Sequence, residues 1–143
     1  MKSIFPFAHL FVAAFLIATA VSAAEPATSF VRLHAIDLLE EALTPTQATK
    51  LQLIAHQAAI AASCDGITLD DAKVSKAFEE LKPENEAQLK PEQIDYHEKH
   101  ILVIYGILIG GELAAISDDV SDACAQAAKT KVDADFATQN VWQ

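Results

Sequence analysis

The chain is poor in the residues that build metal clusters, dense disulfide frameworks and flexible linkers. Its 143 residues include two cysteines, four glycines, five prolines and one tryptophan, and Met1 is the only methionine. Basic residues are also scarce, with 10 Lys and Arg against 20 Asp and Glu. Two cysteines exclude a cysteine-rich scaffold, and the low Gly and Pro content excludes a collagen-like chain. The shortage of positive charge argues against nucleic-acid binding, which needs a basic surface.

Apolar residues are concentrated at the amino terminus. From Met1 to Ala23, 17 of 23 residues are apolar and Lys2 carries the only charge. A positive start, an apolar middle and the small residues at 21–23 follow the order of a secretory signal peptide. We predict that residues 1–23 are cleaved and that residues 24–143 form a single domain in the periplasm or outside the cell. An uncleaved anchor helix is the alternative, because the apolar stretch is long enough to span a bilayer.

Removal of the signal peptide changes the charge balance of the remaining 120 residues. They carry 20 acidic and 9 basic side chains, a net charge of −11, together with four of the five histidines. A chain of this length is expected to bury one compact core. We predict that the mature protein does not span a membrane, because Glu112 interrupts the apolar run over 101–109 before it reaches the required length.

Cys64 and Cys124 are the only cysteines in a chain predicted to enter an oxidising compartment. A bond between them closes a loop of about 60 residues, which the chain-entropy model values at about 4 kcal/mol. The sequence has no Cys-x-x-Cys motif that would favour a redox or haem-attachment site. We therefore predict a structural disulfide.

The mature sequence is typical of an all-α protein, and we predict a single bundle of four to five helices. Alanine is frequent, and no alternation of apolar and polar residues persists. Helix starts are predicted at Ser29, Thr44, the Thr68–Asp71 segment, Pro91 and the Ser117–Asp119 segment.

The ends and faces of these helices are predicted from the same pattern. The first helix covers 29–43, with Val31, Ala35, Leu38 and Ala42 on its buried face. Asp65-Gly66 ends the second helix, and Pro83 ends the third. The fourth is expected to bend near Gly110-Gly111 or at Ser117, because glycine weakens a helix. The segment 101–105 alone also fits a buried strand. Residues 133–143 are expected either to fray or to dock through Phe136 and Trp142.

Small residues recur at a spacing of four on the fourth helix, at Gly106, Gly110 and Ala114. The second helix has a similar alanine face at 55, 58, 59 and 62. Such surfaces allow close approach of two helix backbones. We expect this ridge either to pack within the chain, against the alanine face, or to form the seam of a homodimer.

Two histidines, His97 and His100, lie one helical turn apart. The zinc-protease motif needs a spacing of four rather than three, so that motif is absent. A pair at this spacing is still able to share a metal ion, with His34 or His56 completing the ligands. The other interpretation is that His97 is a hydrogen-bonded residue at the edge of an apolar face.

No recognisable catalytic motif is present. The sequence lacks Gly-x-Ser-x-Gly, a phosphate loop and Ser-x-x-Lys. A calcium loop around Gly66 is rejected, because its first and last positions would be Ala61 and Ala72. Asp70 and Asp71 are interpreted instead as helix-start residues. We therefore expect a protein that is not an enzyme and has no cofactor, unless the histidines bind a metal ion.

The charge favours one class of function over two others. An exported, acidic chain without catalytic parts is expected to act through protein contacts, as an inhibitor, accessory subunit or chaperone-like protein with a partner that is basic. The first alternative is a metal- or small-ligand-binding bundle that uses His97 and His100. The second is an acid-stress chaperone, because protonation of the carboxylates would move the charge from −11 towards +13.

Overall fold

The computed structural model describes residues 31, 33–35, 37–39 and 42–143. Within them, four α-helices follow one another: α1 (Pro45–Ser63), α2 (Asp71–Glu79), α3 (Pro91–Ile116) and α4 (Val120–Lys131). A 3₁₀ turn, Glu86–Gln88, precedes α3. The part of the chain that is described has no strand, only an isolated bridge between Leu69 and Trp142. The all-α prediction is therefore confirmed, and the predicted signal peptide over 1–23 lies outside the described residues.

The predicted start of α1 is confirmed in detail by a reciprocal cap. The Thr44 hydroxyl accepts a hydrogen bond from the Gln47 backbone amide, and the Gln47 side-chain oxygen accepts one from the Thr44 amide. Pro45 takes the first helical position, where its missing amide proton costs nothing. Beyond the other end of the helix, Gly66 adopts a φ of +81°, which L-residues with a side chain rarely adopt. Asp65-Gly66 therefore marks the end of this helix, as predicted.

The shorter helices α2 and α4 begin at aspartates, as the sequence predicts. The Asp70 carboxylate accepts hydrogen bonds from the amides of Ala72 and Lys73. The Asp119 carboxylate accepts one from the amide of Asp122. Each carboxylate satisfies amides that have no partner within the helix and complements the helix dipole. Asp70 is thus a helix cap, in agreement with the rejection of a calcium loop.

Helix α3 continues without interruption through Gly110 and Gly111 to Ile116. Of the two predicted positions for the bend, Gly110-Gly111 is wrong, and Ser117, where the helix ends, is confirmed. Two glycines cost about 2 kcal/mol in a helix interior, but Leu108 before them and Ile116 after them are both buried. Tertiary packing on both sides of the glycines therefore maintains the helix. The strand alternative for 101–105 is also wrong, because these residues are helical.

By length and composition alone, α3 is able to cross a membrane, with 26 residues and a mean hydropathy of 1.6 over 18 of them. The expectation that Glu112 shortens the run too far is therefore wrong by this measure. Core helices of soluble proteins, which are mostly buried, pass the same test. In α3, 28% of the apolar window is buried, and Ile101, Ile104 and Leu108 belong to the core.

Helix α1 lies at the centre of the fold and packs most extensively on α3, with smaller contacts to α4 and α2. One core cluster joins α1 and α3 with Ala35, Leu39 and Leu43. Leu38, which we expected on the buried face of the first helix, is 43% exposed, whereas Leu39 is 1% exposed. Ala35 is buried as predicted, so the prediction is wrong at Leu38, whose place in the core is taken by Leu39. Helical residues occur at 31, 33–35 and 37, and the start of that helix at Ser29 lies outside the described residues.

A second cluster lies at the other end of α1, around Ile60, Ile116 and Trp142. The carboxyl-terminal segment docks there instead of fraying, because Gln57 of α1 is fully buried and holds it by three hydrogen bonds. The Gln57 side chain donates to the Gln139 carbonyl and accepts from the Val141 amide, and its backbone carbonyl accepts from the Trp142 indole. The docking alternative, through Phe136 and Trp142, is thus confirmed.

The disulfide between Cys64 and Cys124 is present and joins the end of α1 to α4. The two residues are separated by 60 positions and their Cα atoms by 5.5 Å, within the range of natural disulfides. Cys64 itself belongs to the second core cluster. The bond therefore holds α4 against α1, with which it shares only a small contact.

We predict that replacing both cysteines (Cys64→Ala with Cys124→Ala) lowers the free energy of unfolding by about 4 kcal/mol, because the unfolded chain loses its cross-link. Urea unfolding followed by circular dichroism measures this change. A reducing agent should destabilise the natural chain equally and leave the double variant unaffected. Equal stability of the natural chain and the variant would contradict the prediction.

Gln57→Ala is predicted to lower the free energy of unfolding by about 2–4 kcal/mol, because it leaves the buried Val141 amide and the part-buried Gln139 carbonyl without these partners. Gln88→Ala, at an exposed site in the 3₁₀ turn, is the matched control and should change stability by less than about 0.5 kcal/mol. Thermal unfolding measures both variants, and Trp142 fluorescence reports whether the terminal segment is released. A Gln57 variant as stable as the control would refute this account of the docking.

Candidate functional site

Glu112 is the one charged residue between Lys99 and Asp118, and it is only 9% exposed. Its Oε2 atom lies 2.8 Å from Nδ1 of His56 on α1. Burial of a carboxylate in apolar surroundings is costly unless a hydrogen-bonding or charged partner accompanies it. The contact with His56 supplies such a partner and places a carboxylate–imidazole pair between α1 and α3.

This pair faces an open cavity of about 500 Å³ between α1, the end of α3, α4 and the carboxyl-terminal segment. We call it the Glu112 cavity. Its apolar walls come from three aliphatic and two aromatic side chains: Leu53, Ile60, Ile116, Phe136 and Trp142. The rings of Phe136 and Trp142 are 6.0 Å apart and tilted. Apolar walls with a few converging polar groups are the usual composition of a ligand-binding cavity.

Three aspartates at the α3–α4 junction also line the Glu112 cavity: Asp118, Asp119 and Asp122. All three are exposed, and two of them already accept hydrogen bonds. Asp119 caps α4, and the Asp122 carboxylate accepts a bond of 2.6 Å from Gln126. The described lining of this cavity contains neither lysine nor arginine. Its charge therefore complements a cationic group.

The predicted metal ligands His97 and His100 line a different open cavity, of about 900 Å³, beside the residues that precede α1. Nε2 of His97 lies 3.0 Å from the Leu81 carbonyl oxygen, and Nε2 of His100 lies 3.2 Å from the Leu38 carbonyl oxygen. A carbonyl oxygen only accepts hydrogen bonds, so Nε2 is the donor in both rings. Nδ1 of each neutral imidazole then carries a lone pair.

The other two histidines are placed elsewhere. His56 belongs to the Glu112 cavity, and neither His56 nor His34 lines the cavity of His97 and His100. Over the described ranges, no group of three or more His, Cys, Asp or Glu side chains is arranged to hold a metal ion. His97 does occupy the edge of the apolar face, bonded to a backbone carbonyl, which is the alternative that the sequence offered.

The small-residue ridge of Gly106, Gly110 and Ala114 is exposed. No described atom comes within 4 Å of a Cβ built on Gly106 or Gly110. The prediction that this ridge packs on the alanine face of α1 is therefore wrong. Ala55, Ala58 and Ala59 are buried against other residues, because α3 turns its larger side chains, Ile101, Ile104 and Leu108, towards the core. Larger side chains bury more apolar surface.

The Glu112 cavity has no motif in the sequence, although one signal for it is present. Glu112 was interpreted only as an interruption of an apolar run. A single acidic residue in an otherwise uncharged helical segment is expected to have a buried partner, because its alternative is an isolated charge. His56 lies 56 positions earlier, and no local pattern connects the two residues.

No protein family, curated protein or solved structure matches the chain.

Proposed function

We propose that this chain is an exported, non-catalytic protein of the periplasm that acts by contacting another protein, as an inhibitor, accessory subunit or chaperone-like partner. The Glu112 cavity is its contact site and accepts a lysine or arginine side chain of a basic partner. The observation that carries this proposal is a buried carboxylate in a cavity whose described lining has three further acidic residues and neither lysine nor arginine.

The dimensions and chemistry of the Glu112 cavity suit a long basic side chain. Lysine and arginine bury an aliphatic stem and keep a charged end near polar groups. Apolar walls at Leu53 and Ile60 would contact the stem, and the aspartates at the α3–α4 junction would accept hydrogen bonds from the charged end. Phe136, which is partly exposed, adds an aromatic ring. Arginine is favoured over lysine, because its planar group both stacks on rings and binds carboxylates through two donors.

The charge of the whole protein supports the same type of partner. A net charge of −11 on the mature chain attracts basic proteins over distances longer than a single contact and raises their association rate. Added salt screens this attraction, because the Debye length falls from about 10 Å at 0.1 M to about 3 Å at 1 M. Binding at the Glu112 cavity is therefore expected to weaken as salt is added.

Trp142, the only tryptophan, lines the Glu112 cavity and serves as the reporter for a direct test. We predict that an acetylated tripeptide amide with a central arginine shifts Trp142 emission at low salt, whereas the same peptide with citrulline, which has the same shape and no charge, does not. Glu112→Gln should weaken arginine-peptide binding at least tenfold, since it removes a poorly hydrated charge. Asp118→Asn, at the solvent-exposed rim, should weaken it by about twofold.

Glu98→Gln, on α3 but outside the Glu112 cavity, is the matched control and should bind the arginine peptide like the natural chain. Circular dichroism of each variant separates a binding defect from a folding defect. Equal responses to the arginine and citrulline peptides, or equal losses in the Glu98 and Glu112 variants, would refute the cavity as the site.

A second candidate function, metal binding at His97 and His100, is favoured by their hydrogen bonds. Imidazole ligands usually donate their second nitrogen to a carbonyl or carboxylate, which is the arrangement of Nε2 in both residues. We predict that Zn²⁺ binds to the natural chain in calorimetry and raises its melting temperature. His97→Gln with His100→Gln should abolish both effects, and His34→Gln should abolish neither. A zinc response unchanged in the double variant would exclude this pair as the site.

A further inference from the structure

Helix α3 is apolar on both sides, although α1 covers only one of them. Ile101, Ile104 and Leu108 are buried in the core, whereas four large aliphatic side chains on the other side are 36–63% exposed: Leu102, Val103, Ile107 and Leu113. We call these four, with Gly106, Gly110 and Ala114 between them, the outer face of α3. A helix that is apolar all round is normally covered on all sides, and a contiguous exposed apolar patch marks an interaction surface.

We propose that the outer face of α3 is the interface of an antiparallel, two-fold symmetric dimer of this chain. Between Lys99 and Asp118 the outer face carries no charge, since Glu112 points into the protein. From residue 101 to 116 this uncharged length is about 24 Å. On a protein with 20 acidic side chains, two copies approach here without bringing carboxylates together.

The shape of the outer face allows it to pair with itself. Gly106 and Gly110 are exposed along the middle of the outer face, with Leu102 and Leu113 on one side of them and Val103 and Ile107 on the other. Glycines leave a shallow groove, and the aliphatic side chains form ridges beside it. A two-fold axis places the ridge of each copy in the groove of the other.

The charges at the two ends of the outer face select the antiparallel orientation. Lys99 is exposed at the amino-terminal end, where it pairs with Asp95 on the same helix. Asp118 and Asp119 are exposed at the carboxyl-terminal end. An antiparallel pair places Lys99 of one copy near Asp118 of the other, whereas a parallel pair places lysine near lysine and aspartate near aspartate. Opposite charges favour the first arrangement.

A second copy fits the outer face better than a basic protein or a membrane. The outer face has no carboxylate that could form an ion pair with a basic partner. Anionic lipid surfaces attract basic segments, and they repel a chain with a net charge of −11. The contact is small: a single helix face lies near the lower end of the roughly 1,200–2,000 Å² typical of specific complexes. We therefore expect a concentration-dependent dimer that dissociates in the micromolar range.

The interface of this dimer shares only Asp118 and Asp119 with the lining of the Glu112 cavity, which otherwise faces α1 and α4. The two proposals also respond to salt in opposite ways. Salt weakens the attraction between an acidic cavity and a basic side chain, but it reduces the repulsion between two acidic copies that join through an uncharged face. We therefore expect added salt to strengthen self-association and to weaken peptide binding.

Sedimentation equilibrium of the exported chain, with its disulfide intact, tests the dimer. Val103→Glu should make the protein monomeric over the tested range, because dimerisation would bury a charge against aliphatic side chains. Val132→Glu is the matched control, since Val132 is 82% exposed away from α3. It should dimerise like the natural chain. Circular dichroism confirms that each variant is folded. A natural chain that stays monomeric to 1 mM (about a thousandfold above the expected range) would overturn the proposal.

Exchange of the end charges tests the orientation. Lys99→Glu and Asp118→Lys should each weaken the dimer about tenfold, because symmetry alters two pairs at once, and the double variant should restore it. Asp118→Lys is decisive, since it lowers the net negative charge and would strengthen the dimer if general repulsion alone mattered. A double variant no tighter than the single ones would overturn the antiparallel pairing.

The membrane alternative is tested with the same variants. Flotation with vesicles of phosphatidylcholine and phosphatidylglycerol should recover no protein. Binding to vesicles that is lost in Val103→Glu would assign the outer face to lipid and overturn the dimer. An arginine-peptide response at Trp142 in a monomeric chain would leave the proposed function standing while the dimer fails, so the two failures are distinguishable.

Discussion

The fold depends on one long helix that has more apolar surface than its neighbours cover. Helix α1 is placed to cover one side of α3, and its own buried residues, such as Leu51 and Ile54, complete the core there. The remaining helices pack against the ends of α1. A small domain has little further chain to bury the other side. The division of α3 into a covered and an outer face follows from this shortage.

Features that local sequence specifies were predictable, because the atoms that determine them are close along the chain. Thr44 with Gln47, Asp70 with Ala72, and Asp119 with Asp122 are caps in which the donor and acceptor are two or three residues apart. The disulfide was predictable for a different reason, since only one pairing of two cysteines exists. These features fix where helices begin and which two helices are joined, but not which faces meet.

Features that depend on distant residues were not predictable in this way. The helix continues through Gly110 and Gly111 because buried residues on both sides of them outweigh the local cost of glycine. Gln57 looks like a surface residue of α1, yet it is buried because Val141 and Gln139 supply partners more than 80 positions away. Before α1, Ala35 is buried as predicted, but Leu39 is buried in place of Leu38, because two adjacent leucines fit the same helical pattern. In each case the missing information was the position of a second element.

Glu112 shows how one charge fixes the relation between α1 and α3. The contact between apolar side chains of two helices tolerates sliding by a turn, because one aliphatic group replaces another with a small change in energy. A slip of α3 by one turn would move Glu112 about 5.4 Å along α1, away from His56, and would leave the carboxylate in apolar surroundings. A rotation that brought the glycine ridge inwards would turn Glu112 to the outside and expose Ile104 and Leu108. The contact of Glu112 with His56 therefore disfavours both the slip and the rotation of α3. The same contact that orients the helix keeps its outer face free of charge.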